Sequence, residues 1–233
     1  AYHISQMKAT GTYYAYAHFE TLRVVPVYII VSIVVFIWAV LLAGVRFPVI
    51  AREHEGAGKN HGSFSELFCF RHFRFAVLAQ FLYCGGQVCT WSYFIQYSEQ
   101  YTSLHEKAAG YLLTVNLCVF LVGRFAATWL MRHYRPNRLM AAFALANIGL
   151  CAVGILFPGW VGVIALLLTT FFMSLMFPTI FALGIKDLGP NTKIGGALIV
   201  MGIVGGAVLT PLFGLLSQAT SLAYAFGIPL VCY

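Results

Sequence analysis

The chain has 233 residues, of which 61% are hydrophobic and only 9% charged, with a mean hydropathy of +0.84. A soluble domain carries about a quarter charged residues, so a water-exposed globule is excluded, and the abundance of aromatic and branched residues excludes disorder. The net charge is +7, yet Lys and Arg fall in short clusters between apolar runs, which is the pattern of membrane topology rather than of a nucleic-acid surface.

The chain opens on AYHISQMKATGTYYAYAHFETLR, a polar and aromatic stretch without an initiator Met or the basic region and cleavage site of a signal peptide. A membrane-crossing helix needs roughly 20 mostly apolar residues. The first such run is 24–45, VVPVYIIVSIVVFIWAVLLAGV, closed by Arg46 and Pro48. A segment rich in Gly and charge follows. Further spans are expected at 75–98, 108–131, 139–157, 160–185 and 194–217, and a seventh starts near Leu222 and is still apolar where the chain stops at Tyr233. Both ends read as those of a segment of a longer protein. All connections but the first are short, which suits an antiparallel all-α bundle.

Basic residues orient the bundle. Arg46, Arg52, Lys59, Arg71 and Arg74 lie between spans one and two, Arg132, Arg135 and Arg138 between three and four, and Lys186 and Lys193 between five and six. The positive-inside rule puts these connections in the cytoplasm; on the opposite side, Lys107 stands alone between spans two and three. The cysteines form no CxxC pair, and all but Cys69 lie in apolar segments, where a thiol packs as a small hydrophobe. No metal site or cofactor is expected.

No Asp or Glu falls inside a span. Buried carboxylates are the usual proton carriers of pumps and symporters, so this piece by itself is not expected to carry a coupling proton. Span two is the most informative. Gln80, Cys84, Gln87, Trp91, Phe94 and Ser98 recur at three- and four-residue steps and share one helix face. Two amides and an indole facing lipid would be costly, so the stripe reads as one wall of a polar cavity. The alternative is that the amides bridge helices and Trp91 belongs to an interfacial belt. Gly85-Gly86 in the same span permits a helix break, as in transporters with interrupted helices.

Span three adds Thr114 and Asn116, the latter either ligand-facing or helix-bridging. Arg124 lies toward the cytoplasmic end, where it could bond helix C-termini and latch a gate, or serve only as an orientation signal. Asn147 in span four reads as structural. Pro178 should kink span five, where Thr170, Ser174, Phe177 and Phe181 share a face that could oppose the Gln80–Trp91 stripe across a cavity. Span six is rich in glycine, with Gly205 and Gly206 at its centre; small residues let helices approach closely and slide.

Three stretches carry a family resemblance: GSFSELFCFRHFRFAVLAQFLYCGGQVCTWSYFIQY, VGRFAATWLM, and FFMSLMFPTIFALGIKDLGPNTKIGGALIVMGIVGGAVLTPLFG. From about Glu20 onward the chain resembles the fucose–proton symporter family of the major facilitator superfamily. The resemblance implies a polytopic membrane bundle forming the C-terminal half of a twelve-helix fold. Residues 1–23 would then be a periplasmic loop, 24–46 helix six, 47–74 the cytoplasmic loop between halves, and 75–233 the C-terminal bundle. It implies that Trp91 stacks on a sugar, that Gln80 and Gln87 are polar positions on the same face, and that Phe177 stands where the family has Tyr. The family's helix-eight Asn aligns near Gly110, and Asn116 is the candidate to take its place.

The expected function is proton-coupled uptake of L-fucose or a related hexose across the bacterial inner membrane. Substrate would be bound by Trp91, Gln87, Gln80, Asn116 and Phe177, while Arg124, Pro178, Gly205 and Gly206 would act in gating or structure. The expected partners are a sugar, a proton, the lipid bilayer and a missing N-terminal half that supplies the proton-carrying residues. The nearest rival is a glucose/galactose transporter of the same family. A non-transporting sugar sensor and a channel are further alternatives. A membrane enzyme is disfavoured because no metal or nucleophile constellation lies in the spans.

Overall fold

The computed structural model describes residues 22, 25–44 and 64–233. The expected segment 1–23, apart from Leu22, and residues 47–63 of the expected inter-half loop lie outside them. The chain divides into two units, Ala1–Gly58 and Lys59–Tyr233. The first contains α1 (Val25–Gly44), a 20-residue helix without a charged residue. Its length matches the roughly 30 Å hydrocarbon core of a bilayer at about 1.5 Å rise per residue.

The second unit is built from helices α2 (Phe64–Leu67), α3 (Arg71–Thr102), α4 (Glu106–Leu130), α5 (Pro136–Leu156) and α6 (Trp160–Gly184). After a short 3-10 turn come α7 (Thr192–Met201), α8 (Val204–Ala219), α9 (Leu222–Ala225) and α10 (Gly227–Cys232). The punctuation is local. Pro136 opens α5, where its missing N–H is not needed. Gly159 holds φ 143° at the turn into α6, a conformation that side-chain-bearing residues rarely adopt. Helix α3 runs from 71 to 102, longer at both ends than the expected span, so the last part of the expected loop 47–74 is helical.

Among the described residues, five helical stretches are long and apolar enough to cross a membrane. Helix α3 is not among them, because its Gln, Ser, Thr and Tyr content lowers its hydropathy. Its place in the bundle accounts for that: α3 packs against α4, α6, α7, α8 and α10, and Gln80, Thr90 and Ser98 are fully buried there. Helix α6 is the most buried of the apolar spans and packs on α3, α4 and α5.

Two main core clusters sit at opposite ends of the α3–α6 pair. One gathers Phe73, Tyr83 and Cys84 with Met173, Met176 and Ile180. The other gathers Cys89, Phe94 and Tyr97 with Val163, Leu166 and Phe213. Between them lies a layer containing Gly85, Gly86 and Gln87 of α3 and Thr169 and Thr170 of α6, the last two fully buried.

The break that Gly85-Gly86 would permit does not occur; α3 is continuous through both. These glycines make a groove for neighbours. A Cβ on Gly85 would collide with Leu209 and approach the Gly205 carbonyl, and one on Gly86 would meet Cys232 and Tyr233. The interruption lies instead in span six, between α7 and α8, where Gly202, Ile203, Gly205 and Gly206 each donate to the carbonyl three residues back. At the bend, a Cβ on Gly202 would press on Gln80, and one on Gly205 would overlap the Phe81 carbonyl oxygen. Glycine therefore sets the backbone separation of α3 and α8.

Gly205→Ala should destabilise the full-length protein by the roughly 1–3 kcal/mol typical of overpacking or more, read as a lowered thermal midpoint in detergent, because a backbone atom blocks the new methyl. Gly149→Ala, where nothing lies within 4 Å of the new Cβ, should leave the midpoint unchanged or raise it.

Candidate functional site

The organising feature at mid-bundle is the turn of α6 that precedes Pro178. Proline has no N–H, so the carbonyl four residues earlier, that of Ser174, loses its helical donor. In a bilayer interior no water replaces it, and an unsatisfied backbone group costs several kcal/mol. The neighbouring helix supplies the partner: Arg124 Nη1 on α4 donates to the Ser174 carbonyl at 2.7 Å.

The approach that permits this contact depends on Gly123, where a Cβ would come within 2.7 Å of both the Phe171 carbonyl and Ser174 Oγ. Arg124 therefore bonds a carbonyl inside a helix, not the helix C-termini expected from sequence. Helix α3 contributes Tyr83, whose hydroxyl donates to the Met173 carbonyl at 2.9 Å. Helix α5 contributes Asn147, whose Nδ2 reaches Met176 Sδ at 3.6 Å. Three helices thus each place one polar side chain on the 173–176 turn. Within α6, Ser174 Oγ and Thr179 Oγ1 donate back to the Phe171 and Leu175 carbonyls at 2.7 and 2.8 Å.

Aromatic rings extend from this turn in two directions. The Arg124 guanidinium lies over the Phe120 ring, 5.5 Å from its centroid, and Phe120 meets Trp91 edge to face at 5.2 Å. Tyr83 meets Phe177 edge to face at 6.4 Å. Trp91 and Phe177 are both half-buried. The expected cavity between the α3 stripe and the α6 face is not the arrangement at this level: α3 and α6 touch directly through Tyr83, and Thr170 and Ser174 are fully buried.

The candidate amides divide. Gln80 is fully buried under the α7–α8 bend; its Nε2 contacts Cys84 Sγ at 3.6 Å, while its Oε1 has no partner. Gln87 is half-buried, one turn before Trp91. Asn116 is fully buried, and neither its Nδ2 nor its Oδ1 has a partner. The Trp91 Nε1 and Thr170 Oγ1 are also buried without one. Thr114 is exposed and its hydroxyl bonds the Gly110 carbonyl at 3.3 Å. Gly205 and Gly206 lie in the α3–α8 contact, the latter against Val88.

Tyr83 and Phe120 were not singled out from sequence. Their signal was spacing alone: Phe120 is four residues from both Asn116 and Arg124, and Tyr83 four before Gln87, which puts each on a polar face.

The described carboxylates, Glu66, Glu99 and Asp187, lie in a short helix, a terminal helix turn and a connection. No group of three His, Cys, Asp or Glu able to hold a metal occurs among the described residues. Cys84, Cys89, Cys118, Cys151 and Cys232 form no disulfide. Clefts open at both ends of the bundle. One of about 610 Å³ is lined by Gln96, Glu99 and Ser217, and one of about 400 Å³ by His72, Asn137 and Lys186.

No family model matches the chain. The L-fucose–proton symporter of Escherichia coli (strain K12) is 40% identical over 225 residues, covering 94% of this chain and 51% of the relative. A glucose/galactose transporter of Brucella abortus biovar 1 is 27% identical over 209 residues, covering 88% of this chain and 50% of the relative. The crystal structure of a major facilitator superfamily transporter, FucP, in the outward conformation, superimposes with a TM-score of 0.81 at 39% identity. That match covers 95% of this chain and 55% of the other. The chain therefore spans about half the length of the curated relatives it matches. With its helices, their order and its sequence all matching, this multi-pass membrane chain belongs to the fucose–proton symporter family of the major facilitator superfamily.

Proposed function

We propose that this chain, joined to an N-terminal half of similar size, forms a proton-coupled transporter that takes up L-fucose or a related hexose by alternating access. It would do so in the bacterial inner membrane. Eight buried polar atoms lack a protein partner among the described residues, and the observation that carries this reading is that five of them, Trp91 Nε1, both polar atoms of Asn116, Gln80 Oε1 and Thr170 Oγ1, belong to residues the sequence singles out on α3, α4 and α6. They accompany the Trp91–Phe120 and Tyr83–Phe177 ring pairs. A native fold rarely leaves such groups unpaired, and a sugar offers what they lack. Its hydroxyls both donate and accept, and its C–H faces suit aromatic rings.

In this reading Trp91 stacks on the sugar and donates through its indole N–H. Gln87, Gln80 and Asn116 bond hydroxyls, and Phe177 forms the opposing wall. The proton is carried elsewhere, because the described carboxylates lie outside the helix interiors. Gly205 and Gly206 give a backbone contact that can shift as the two halves rock. The relatives are named as transporters rather than enzymes, and the site has no nucleophile or metal constellation that would suggest chemistry on the sugar.

A second reading, a glucose/galactose transporter, is favoured by Phe177, which offers no hydroxyl where the fucose branch has Tyr, and by the name of the Brucella relative. Uptake over a panel of hexoses separates the two. Counterflow of labelled sugar in proteoliposomes separates either from a sensor that binds without transport.

In the full-length protein, Trp91→Ala and Gln87→Ala should each weaken sugar affinity by about tenfold or more, the equivalent of about 1.4 kcal/mol. Unchanged proton-coupled uptake in both variants would sink the proposed site. Asn116 and Asn147, both fully buried, should behave differently. Asn116→Leu should abolish measurable sugar binding while keeping or raising the thermal midpoint, since it removes two unpaired buried atoms. Asn147→Leu, which removes the bond to Met176 Sδ and one unpaired buried oxygen, should leave sugar affinity within about twofold of the wild type, as expected for a side chain outside the binding wall.

A further inference from the structure

Both aromatic walls lead back to the same turn of α6. Trp91 rests on Phe120, Phe120 lies under Arg124, and Arg124 holds the Ser174 carbonyl that Pro178 has left without a donor. Phe177 rests on Tyr83, which holds the adjacent Met173 carbonyl. We infer that Arg124 is a positioning residue for sugar recognition: it converts the free carbonyl at the proline kink into an anchor for the Trp91 wall. The inference rests on the proposed sugar site.

Three features of the geometry support this role over a surface charge that only orients the helix. The guanidinium is half-buried and aimed along the bundle interior at a backbone oxygen 50 residues away in sequence. Its charge-assisted bond of 2.7 Å is in the strong range. Its planar face is used at the same time, over Phe120. A guanidinium can do both at once because its N–H groups point outward in the plane of the group while its faces remain free. A lysine could reach the carbonyl but would offer Phe120 no planar face.

The consequence is an energetic link between Pro178 and Trp91 that passes through Arg124. With Pro178 in place, loss of Arg124 strands the Ser174 carbonyl, and the α4–α6 contact must loosen or rotate to satisfy it. Phe120 moves with α4, and the edge on which Trp91 rests moves with it. With alanine at 178, the chain supplies its own N–H to the carbonyl and Arg124 becomes dispensable for that bond.

The test is a double-mutant cycle read as L-fucose affinity of the full-length transporter, purified in detergent, with D-galactose as the probe if uptake selects it. Arg124→Leu should weaken binding about tenfold, Arg124→Lys by less, and Phe120→Leu by several fold while leaving the thermal midpoint close to the wild type. In the Pro178→Ala background, Arg124→Leu should cost about twofold or less. An Arg124→Leu penalty equal in both backgrounds, or one confined to the thermal midpoint with sugar affinity intact, overturns the inference. If Arg124→Leu alone fails to fold, the Pro178→Ala background and Phe120→Leu still decide it: full wild-type affinity in Phe120→Leu also overturns it. Trp91→Ala serves as the control. Retained affinity there would overturn the sugar-site reading and this inference together, whereas lost affinity with equal penalties in the cycle would overturn this inference alone.

Discussion

Inside a bilayer a backbone carbonyl must find its partner in the protein, and the Ser174 carbonyl is one that its own helix cannot serve. Pro178 removes the donor, and the surrounding structure is arranged to replace it. Gly123 brings α4 close enough for Arg124 to reach. Tyr83 ties α3 to the neighbouring carbonyl, and Asn147 ties α5 to Met176. The turn before Pro178 thus receives one polar contact from each of three other helices, of which that of Arg124 replaces the missing N–H, and the aromatic pairs bracketing the candidate site are built on two of those contacts.

The second constraint is distance between backbones. Helix α3 carries the polar face, so it must be enclosed by other helices to stay out of lipid. Its contact with α8 is close enough that only glycine fits at 205, and Gly85 accepts the return contact from Leu209. The bend at Gly202 and Ile203 lies over Gln80. The most polar helix and the most glycine-rich span therefore meet, with Gln80 packed directly under the bend.

Much of this was legible from sequence, for physical reasons. Apolar runs of bilayer length give the spans, with limits that fall within a few residues of the helix ends. The placement of Trp91, Gln80 and Gln87 on one helical face follows from the helix period alone. What misled was the meaning of glycine and arginine. Gly85-Gly86 has the composition of a break but works as a packing groove, because the propensity of glycine to interrupt a helix is small beside the gain from close contact on both sides. Arg124 reads as a topological charge because periodicity does not reveal which distant carbonyl lacks a donor.

The sequence by itself determined that this chain lives in a membrane as a helix bundle, that its carboxylates stay out of the helix interiors, and which residues are polar where lipid would forbid it. These follow from composition and period, which are local properties. Only the tertiary structure decided which helix covers which. It paired Arg124 with Ser174, set Phe120 between Arg124 and Trp91, moved the helix interruption from span two to span six, and brought α3 and α6 into contact where a cavity had been expected. Those outcomes depend on partners some 30 to 120 residues apart in the chain, and the physical demand that joins them, a partner for every buried polar group, is met only once the helices are packed.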